Sequence, residues 1–183
     1  KENNKIIIFG KGLNSLQKPK KNIYLGNSGT SARLLTGLLS SQSFDTVLTG
    51  DSSLSSRPMN RIADPLTKMN AKITTNEGTM PLSIKGVNLV NAEIDINIPS
   101  AQIKSGLILA ALNTFGKTKI IEHNITRDHT EIMLSAFGAD INIKKENSNK
   151  IIYINGKKEL KSKNIVVPND LSSSAFFIIA ALI

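Results

Sequence analysis

An internal repeat constrains the fold of this chain more than any other feature of its sequence. The segments NSGTSARLLTGLLSSQSFDTVLTGD (27–51) and IPSAQIKSGLILAALNTFGKTKIIEH (98–123) each contain a small polar turn, a helix, a short break and a β-rich strand. Apolar residues at i, i+1, i+4 and i+5 predict one buried face on each helix. The residues concerned are Leu34, Leu35, Leu38 and Leu39 in the first copy, and Leu107, Ile108, Ala111 and Leu112 in the second.

A second helix follows in each copy. The segments RPMNRIADPLTKMNAKI (57–73) and RDHTEIMLSAFGADI (127–141) each begin with an arginine and each contain a predicted helix. Pro58 biases Arg57 towards an extended backbone before its helix starts. Asn70 and Gly138 are suited to the left-handed backbone that ends many helices. Two strands joined by a tight turn then complete each copy. These strands are predicted at 71–76 and 81–85, and at 139–145 and 150–155.

The repeat predicts an α/β fold made of β-α-β-α-β-β units. Two near-complete units cover about 24–90 and 92–160. KIIIFGKGL near the start indicates the closing strand of an earlier unit. VVPNDLSSSAFFIIAALI at the end indicates the start of a third copy. We therefore expect an internal piece of a longer protein.

The composition narrows the classes of function. The chain has a net charge of +9, two His and no Cys, which excludes disulfides, thiolate zinc sites and a cysteine nucleophile within it. No apolar run is long enough to cross a bilayer, and no signal peptide opens the chain, so a soluble, cytoplasmic protein is expected. Dispersed lysines with only 4% aromatic residues favour small phosphates over nucleic acid as partners, although a merely solvated surface fits as well.

The arginines are more informative than the lysines. Only four of the 23 basic residues are arginine, the side chain whose planar fork grips phosphate or carboxylate at two points. Arg33 lies in the first turn of a helix, where a cation needs an anionic partner to offset the helix dipole. Arg57, which precedes Pro58, and Arg127 occupy equivalent places in the two copies, whereas Arg61 is interpreted as a surface residue. A structural salt bridge remains the alternative for each.

Two small polar turns precede the repeated helices, at 27–30 and 100–102. Free N–H groups and the positive end of the dipole make such helix starts suitable for anions. Ordinary N-capping is the alternative. The match between the two copies, each with an arginine one helix later, favours binding. Asp128 and His129 are interpreted as an N-cap and a half-exposed polar residue rather than as an acid–base pair.

These residues carry a family resemblance. GNSGTSARLLTGLL, LTGDSSLSSRPMNRIADPL, PSAQIKSGLILAAL and ITRDHTEIML together resemble the EPSP synthase family, in its bacterial class II spelling, and VPNDLSSSAFFIIAALI resembles its entry into the second domain. The resemblance implies two domains, each of three β-α-β-α-β-β units around buried helices, with residues 1–164 in a partial first domain and 165–183 at the start of the second. It also implies transfer of the enolpyruvyl group of phosphoenolpyruvate to the 5-hydroxyl of shikimate 3-phosphate, with release of phosphate, on the way to chorismate and the aromatic amino acids. No metal or organic cofactor is implied.

The resemblance further implies roles for individual residues. The family's proposed acid–base groups fall outside this chain, so no catalytic residue is assigned in it and the chain alone is expected to be inactive. Gly29 matches the glycine of glyphosate-sensitive forms, and the full-length protein is expected to be a monomer. Shikimate 3-phosphate would be held by Ser100, Ala101, Gln102 and Arg127; phosphoenolpyruvate or glyphosate by Asn27, Gly29 and Arg57, supported by Thr30 and Arg33.

Two alternatives remain open from the sequence. One is the related enolpyruvyl transferase that acts on UDP-N-acetylglucosamine. That enzyme usually carries a reactive cysteine in this half, and this chain has none. The other is a non-catalytic basic module that binds RNA, which the +9 charge favours and the low aromatic content disfavours.

Overall fold

The structure, a computed structural model, describes residues 9, 12, 15–166, 174–175 and 179–181. The closing strand expected near the start and the third copy expected at the end fall almost entirely outside these residues. No helix in the described part of the chain is long and apolar enough to cross a membrane.

Each repeat forms one four-stranded sheet with its helices. The first contains β1 (Ile23–Tyr24), α1 (Gly29–Ser40), β2 (Thr46–Thr49), α2 (Ser52–Ser55), α3 (Asn60–Thr67), β3 (Lys72–Asn76) and β4 (Thr79–Lys85). The second contains β5 (Glu93–Ile96), α4 (Ala101–Leu112), β6 (Lys117–Glu122), α5 (His129–Ala136), β7 (Asp140–Glu146) and β8 (Asn149–Asn155).

The two sheets have the same topology, with strand orders β1-β2-β4-β3 and β5-β6-β8-β7. The first two strands of each repeat run parallel, and the closing hairpin is antiparallel. This arrangement confirms the predicted β-α-β-α-β-β unit. Because parallel strands end at the same edge of a sheet, the loops after β1 and β2 meet there, as do the loops after β5 and β6.

The ends of the second helices are confirmed. Asn70 and Gly138 adopt positive φ of 67° and 84°, as the sequence predicts for helix stops. Arg57 lies three residues before α3, as expected from Pro58, whereas Arg127 lies two residues before α5 rather than at its first position. Pro58 disfavours helical backbone at Arg57, and the chain instead forms the short, unexpected helix α2, where Asp51 Oδ1 accepts a 2.8 Å bond from the Leu54 amide.

Helices α1 and α4 pack directly against each other at a crossing made of glycines. A Cβ atom built on Gly37 would lie 1.9 Å from the Gly106 carbonyl oxygen, so neither helix could carry a side chain there at this separation. Leu107 and Ile108 are fully buried on α4, as predicted.

The buried face of α1 differs from the prediction. Of its four leucines, Leu39 alone is buried, and the others are half-buried. The close approach at Gly37 turns the small residues Ala32 and Thr36 inward instead, and the Thr36 hydroxyl donates to the Ala32 carbonyl at 2.7 Å. Apolar periodicity gave the correct helix but the wrong face, because the crossing selects small side chains rather than apolar ones.

Candidate functional site

Both long helices begin with a capped N-terminus at the edge where the parallel strands end. Ser28 Oγ accepts a 3.1 Å bond from the Ser31 amide at the start of α1. Ser100 Oγ accepts a 3.3 Å bond from the Ile103 amide at the start of α4. Each cap satisfies one of the N–H groups that a helix start leaves free. The capping alternative is therefore correct for both serine hydroxyls, and the remaining amides of each first turn are left for other acceptors.

Gln102 joins the two helix starts. Its Nε2 donates to Thr30 Oγ1 at 2.9 Å, and its Oε1 accepts from Arg33 Nη1 at 2.9 Å. One amide side chain therefore connects the first turn of α4 with the first turn of α1. The two turns, which lie far apart in sequence, form one continuous polar surface.

Arginines surround the start of α1. Arg57 Nη2 donates to Asn27 Oδ1, and Arg33 Nη1 donates to the Gly29 carbonyl at 3.2 Å. A Cβ atom on Gly29 would lie 2.8 Å from the Arg33 Nη1 atom and 2.9 Å from the Arg57 Nη1 atom. Glycine is therefore the residue that lets both guanidinium groups reach the helix start.

No carboxylate neutralises this cluster among the described residues. Burial lowers the pKa of Arg33, and the neighbouring charges of Arg57 and Arg61 lower that pKa further. Arg61 is exposed, as predicted, yet its charge also acts on Arg33. Three like charges beside the positive end of a helix dipole favour binding of an anion. The salt-bridge alternative fails for these arginines.

A cavity of about 280 Å³ opens beside the start of α4. It is lined by Thr30 and Gln102 on one side and by Arg127 and His129 on the other. Arg127 is exposed, and it has no hydrogen bond or ion pair within residues 15–166. The remaining lining residues are Leu34, Ala101, Ser105 and Thr130.

The predicted site residues therefore fall into two adjoining groups. Asn27, Gly29 and Arg57 meet at the start of α1. Around the start of α4, Ser100 caps the helix, while Ala101, Gln102 and Arg127 line the cavity. Thr30 and Arg33 lie between the groups through their bonds to Gln102.

Sequence reasoning missed one charged cluster. The lysines were interpreted as solvated, but Lys104 is completely buried and its Nζ lies 3.1 Å from Glu122 Oε2 and 2.9 Å from Glu131 Oε1. Lys150 Nζ also contacts Glu131 Oε1, at 3.0 Å. The signal that could have found the cluster is the position of Lys104 three and four residues before Leu107 and Ile108, on the predicted buried face of α4. Asp128, expected to cap α5 with its side chain, makes no such bond; its carboxylate lies 3.9 Å from Lys150.

Repeated β-α-β-α-β-β units with helix starts and unneutralised arginines at one edge define a class of protein built to bind small anions. The sequence model of the family described as EPSP synthase (3-phosphoshikimate 1-carboxyvinyltransferase) matches residues 1–183. The chain belongs to the EPSP synthase family.

Individual relatives agree with this assignment. The 3-phosphoshikimate 1-carboxyvinyltransferase of Ruthia magnifica is 50% identical over 179 residues, covering 97% of this chain and 40% of the relative. That of Magnetococcus marinus is 49% identical over 178 residues, covering 96% and 39%. The solved structure of the EPSP synthase of Acinetobacter baumannii matches with a TM-score of 0.80 and 49% identity, over 92% of this chain and 38% of that one.

The chain thus spans about 40% of the length of these relatives. The matches do not favour the UDP-N-acetylglucosamine enzyme or a non-catalytic basic module.

Proposed function

We propose that the protein containing this chain transfers the enolpyruvyl group of phosphoenolpyruvate to the 5-hydroxyl of shikimate 3-phosphate and releases phosphate. The observation that carries the proposal is the pairing of two helix starts, each with an arginine supplied by the connection between the neighbouring parallel strand and the second long helix of its repeat. Both substrates are phosphorylated, and two adjoining anion sites suit two phosphorylated reactants. Membership of the EPSP synthase family supports the same reaction.

Shikimate 3-phosphate is assigned to the group around α4. Its 3-phosphate would accept hydrogen bonds from the amides of the first turn at Ser100 and Ala101, with Arg127 closing the opposite side of the cavity. Gln102 would lie along the ring. The exposed Arg127, which has no partner within residues 15–166, supports this role because a guanidinium that serves only the fold normally has one.

Phosphoenolpyruvate is assigned to the group around α1. Asn27 would orient Arg57 through their hydrogen bond, and Gly29 would leave room for the anion between the guanidinium groups. Glyphosate, an anion of similar size, would compete there, and a glycine at this position supports sensitivity to it. Thr30 and Arg33 would support both groups through Gln102.

The chemistry of these residues is binding and orientation. Preorganised cations would neutralise phosphate charge and hold the two reactants in contact, which lowers the entropic part of the barrier. We assign no proton transfer to this chain. Residues 1–164 would form part of a first domain, 165–183 would open a second, and the acid–base groups would come from outside these residues. The 183-residue chain alone would then bind anions but not turn over.

The test is an assay of the protein expressed from its complete coding region. With shikimate 3-phosphate and phosphoenolpyruvate we expect release of phosphate and a product heavier by one enolpyruvyl group, measured by mass spectrometry. Arg127→Ala should raise the KM for shikimate 3-phosphate by about tenfold or more, because it removes a charge-assisted contact. Lys145→Ala, which removes the same charge from an exposed strand position, is the matched control. Transfer to UDP-N-acetylglucosamine instead would contradict the proposal.

Two further parts of the proposal have simple tests. We expect a monomer in the cytoplasm, checked by light scattering and by fractionation of cells that produce the protein. A salt-dependent RNA gel shift tests the remaining alternative, because binding through phosphate contacts weakens steeply with salt. No shift at low salt is expected.

A further inference from the structure

The buried ionic cluster links the two sides of the cavity. Lys104 lies on α4, one turn after Ser100, and its amide donates to the Ser100 carbonyl at 3.1 Å. Its side chain crosses to Glu122 at the end of β6 and to Glu131 on α5. The segment between these two carboxylates, residues 123–130, consists of the loop after β6 and the first two residues of α5, and this loop carries Arg127. One lysine therefore contacts both ends of the loop that supplies the arginine.

Further bonds hold the interior of the same loop. Glu122 Oε1 accepts from both the amide and the hydroxyl of Thr126, the residue before Arg127. Ser105, next to Lys104 on α4, bonds to Thr130 through their hydroxyls at 2.6 Å. The loop is thus fixed from α4 and from β6 on both sides of Arg127, although the Arg127 side chain itself is free to face the cavity.

Stability alone does not account for this cluster. Four charged side chains, those of Lys104, Glu122, Glu131 and Lys150, are buried together, and burying charge carries a desolvation cost that well-packed apolar side chains avoid. Glu131 Oε2 has no hydrogen-bond partner among the described residues, so the cluster is not even fully satisfied. Ionic and hydrogen-bonded contacts fix the orientation of the groups that they join, which apolar packing does not.

We infer that Lys104, with Glu122 and Glu131, is a positioning residue: the cluster fixes the segment 123–130 so that Arg127 faces the start of α4 across the cavity. Its expected effect on ligand affinity rests on the proposed function. The cluster touches neither reactant in this assignment. It acts through Arg127, and therefore on the shikimate 3-phosphate site and not on the phosphoenolpyruvate site around α1.

The principal test compares Lys104→Met with Lys119→Met in the protein expressed from its complete coding region. Lys119 also forms an ion pair in the second repeat, with Glu93, but that pair is exposed. Lys104→Met should raise the KM for shikimate 3-phosphate by about tenfold or more, as loss of the Arg127 contact would. The KM for phosphoenolpyruvate and both KM values of Lys119→Met should change less than about twofold. A merely structural role would lower the concentration of active protein and leave KM unchanged.

A double-mutant cycle tests whether the effect passes through Arg127. In an Arg127→Ala background, Lys104→Met should weaken binding of shikimate 3-phosphate no further, because the two changes remove the same interaction. Additive losses would overturn the inference. If Lys104→Met does not fold, Thr126→Val serves instead: it removes one bond to Glu122, keeps the side chain's shape and leaves the ion pairs intact. It should raise the same KM in the same direction, and an unchanged KM would overturn the inference.

A measurement without substrate separates this inference from the proposed function. Amide hydrogen exchange of residues 123–130 should be faster in Lys104→Met or Thr126→Val than in the parent, while exchange in the β3–β4 hairpin stays the same. If the parent binds no shikimate 3-phosphate, the proposed function fails, and exchange in this loop alone decides the inference. Unchanged exchange in the loop, or faster exchange with unchanged affinity in a parent that binds, would overturn it.

Discussion

The two repeats share their strand order and their capped central helices, yet they differ in whether their charged side chains form ion pairs. All the ion pairs among the described residues join side chains of the second repeat, and their members lie within residues 93–150. In the first repeat, Arg33 and Arg57 have no carboxylate beside them, and burial, followed by the like charges of Arg57 and Arg61, lowers the pKa of Arg33. The same unit can therefore enclose charged side chains in ion pairs, as around Lys104, or leave arginines without a carboxylate at the sheet edge, as at Arg33 and Arg57.

The difference follows from what each central helix packs against. Helix α1 meets α4 through small residues at Gly37, and its arginine emerges at the edge of the sheet. Helix α4 lies deeper, and its lysine cannot reach solvent, so carboxylates from β6 and α5 approach it. A buried charge requires partners, whereas a half-exposed arginine can remain unpaired until a ligand binds.

The largest expected effect comes from removing the buried charge. Lys104→Met leaves Glu122 without a cationic partner and should lower the free energy of unfolding by about 3–5 kcal/mol. Lys119→Met, which removes an exposed ion pair, should lower it far less, because solvent screens such a pair. Urea unfolding measures both. Equal losses would mean that the buried cluster is no more important to stability than a surface pair.

The next largest effect tests the helix crossing. Gly37→Ala should destabilise the protein by about 1–3 kcal/mol or more, because the added methyl group would overlap the Gly106 carbonyl. Lys85→Ala, an exposed change on β4, should stay within about 0.5 kcal/mol. Thermal unfolding followed by circular dichroism measures the difference. A neutral Gly37→Ala variant would show that the helices can separate without cost.

A smaller effect concerns binding in the first repeat. Gly29→Ala should push the Arg33 and Arg57 guanidinium groups away from the helix start. It should therefore weaken the binding of phosphoenolpyruvate and glyphosate by about tenfold, or about 1.4 kcal/mol. The KM for shikimate 3-phosphate, assigned to the other repeat, is the internal control. Steady-state kinetics and glyphosate inhibition provide the measurement. An equal change for both substrates would show that the two sites do not act separately.

The smallest effect compares two aspartates at helix starts. Asp51→Ala removes a formed cap bond on α2 and should cost about 0.5–2 kcal/mol. Asp128→Ala removes no cap bond on α5 and should cost less than about 0.5 kcal/mol. Urea unfolding resolves the two. If Asp128 proved the more important, its contact with Lys150 at 3.9 Å would be part of the buried cluster.

Local pattern predicted most of the architecture. The repeat predicted the unit and the closing hairpins, and Asn70 and Gly138 marked the helix ends, because backbone preference at such positions is local. The prediction of the helix starts was less accurate. The short helix α2 depends on the Asp51 cap, and its presence moves Arg57 into a connecting segment.

The sequence by itself determined the repeated fold, the two capped helix starts and the rarity of arginine that marked Arg33, Arg57 and Arg127. Only the tertiary structure decided which face of α1 is buried and that Lys104 is enclosed by carboxylates. Periodicity reports the faces of one element, whereas these features depend on what a second element brings against it. Glu122 and Glu131 come from other elements, and no spacing within α4 reveals that they converge on its lysine.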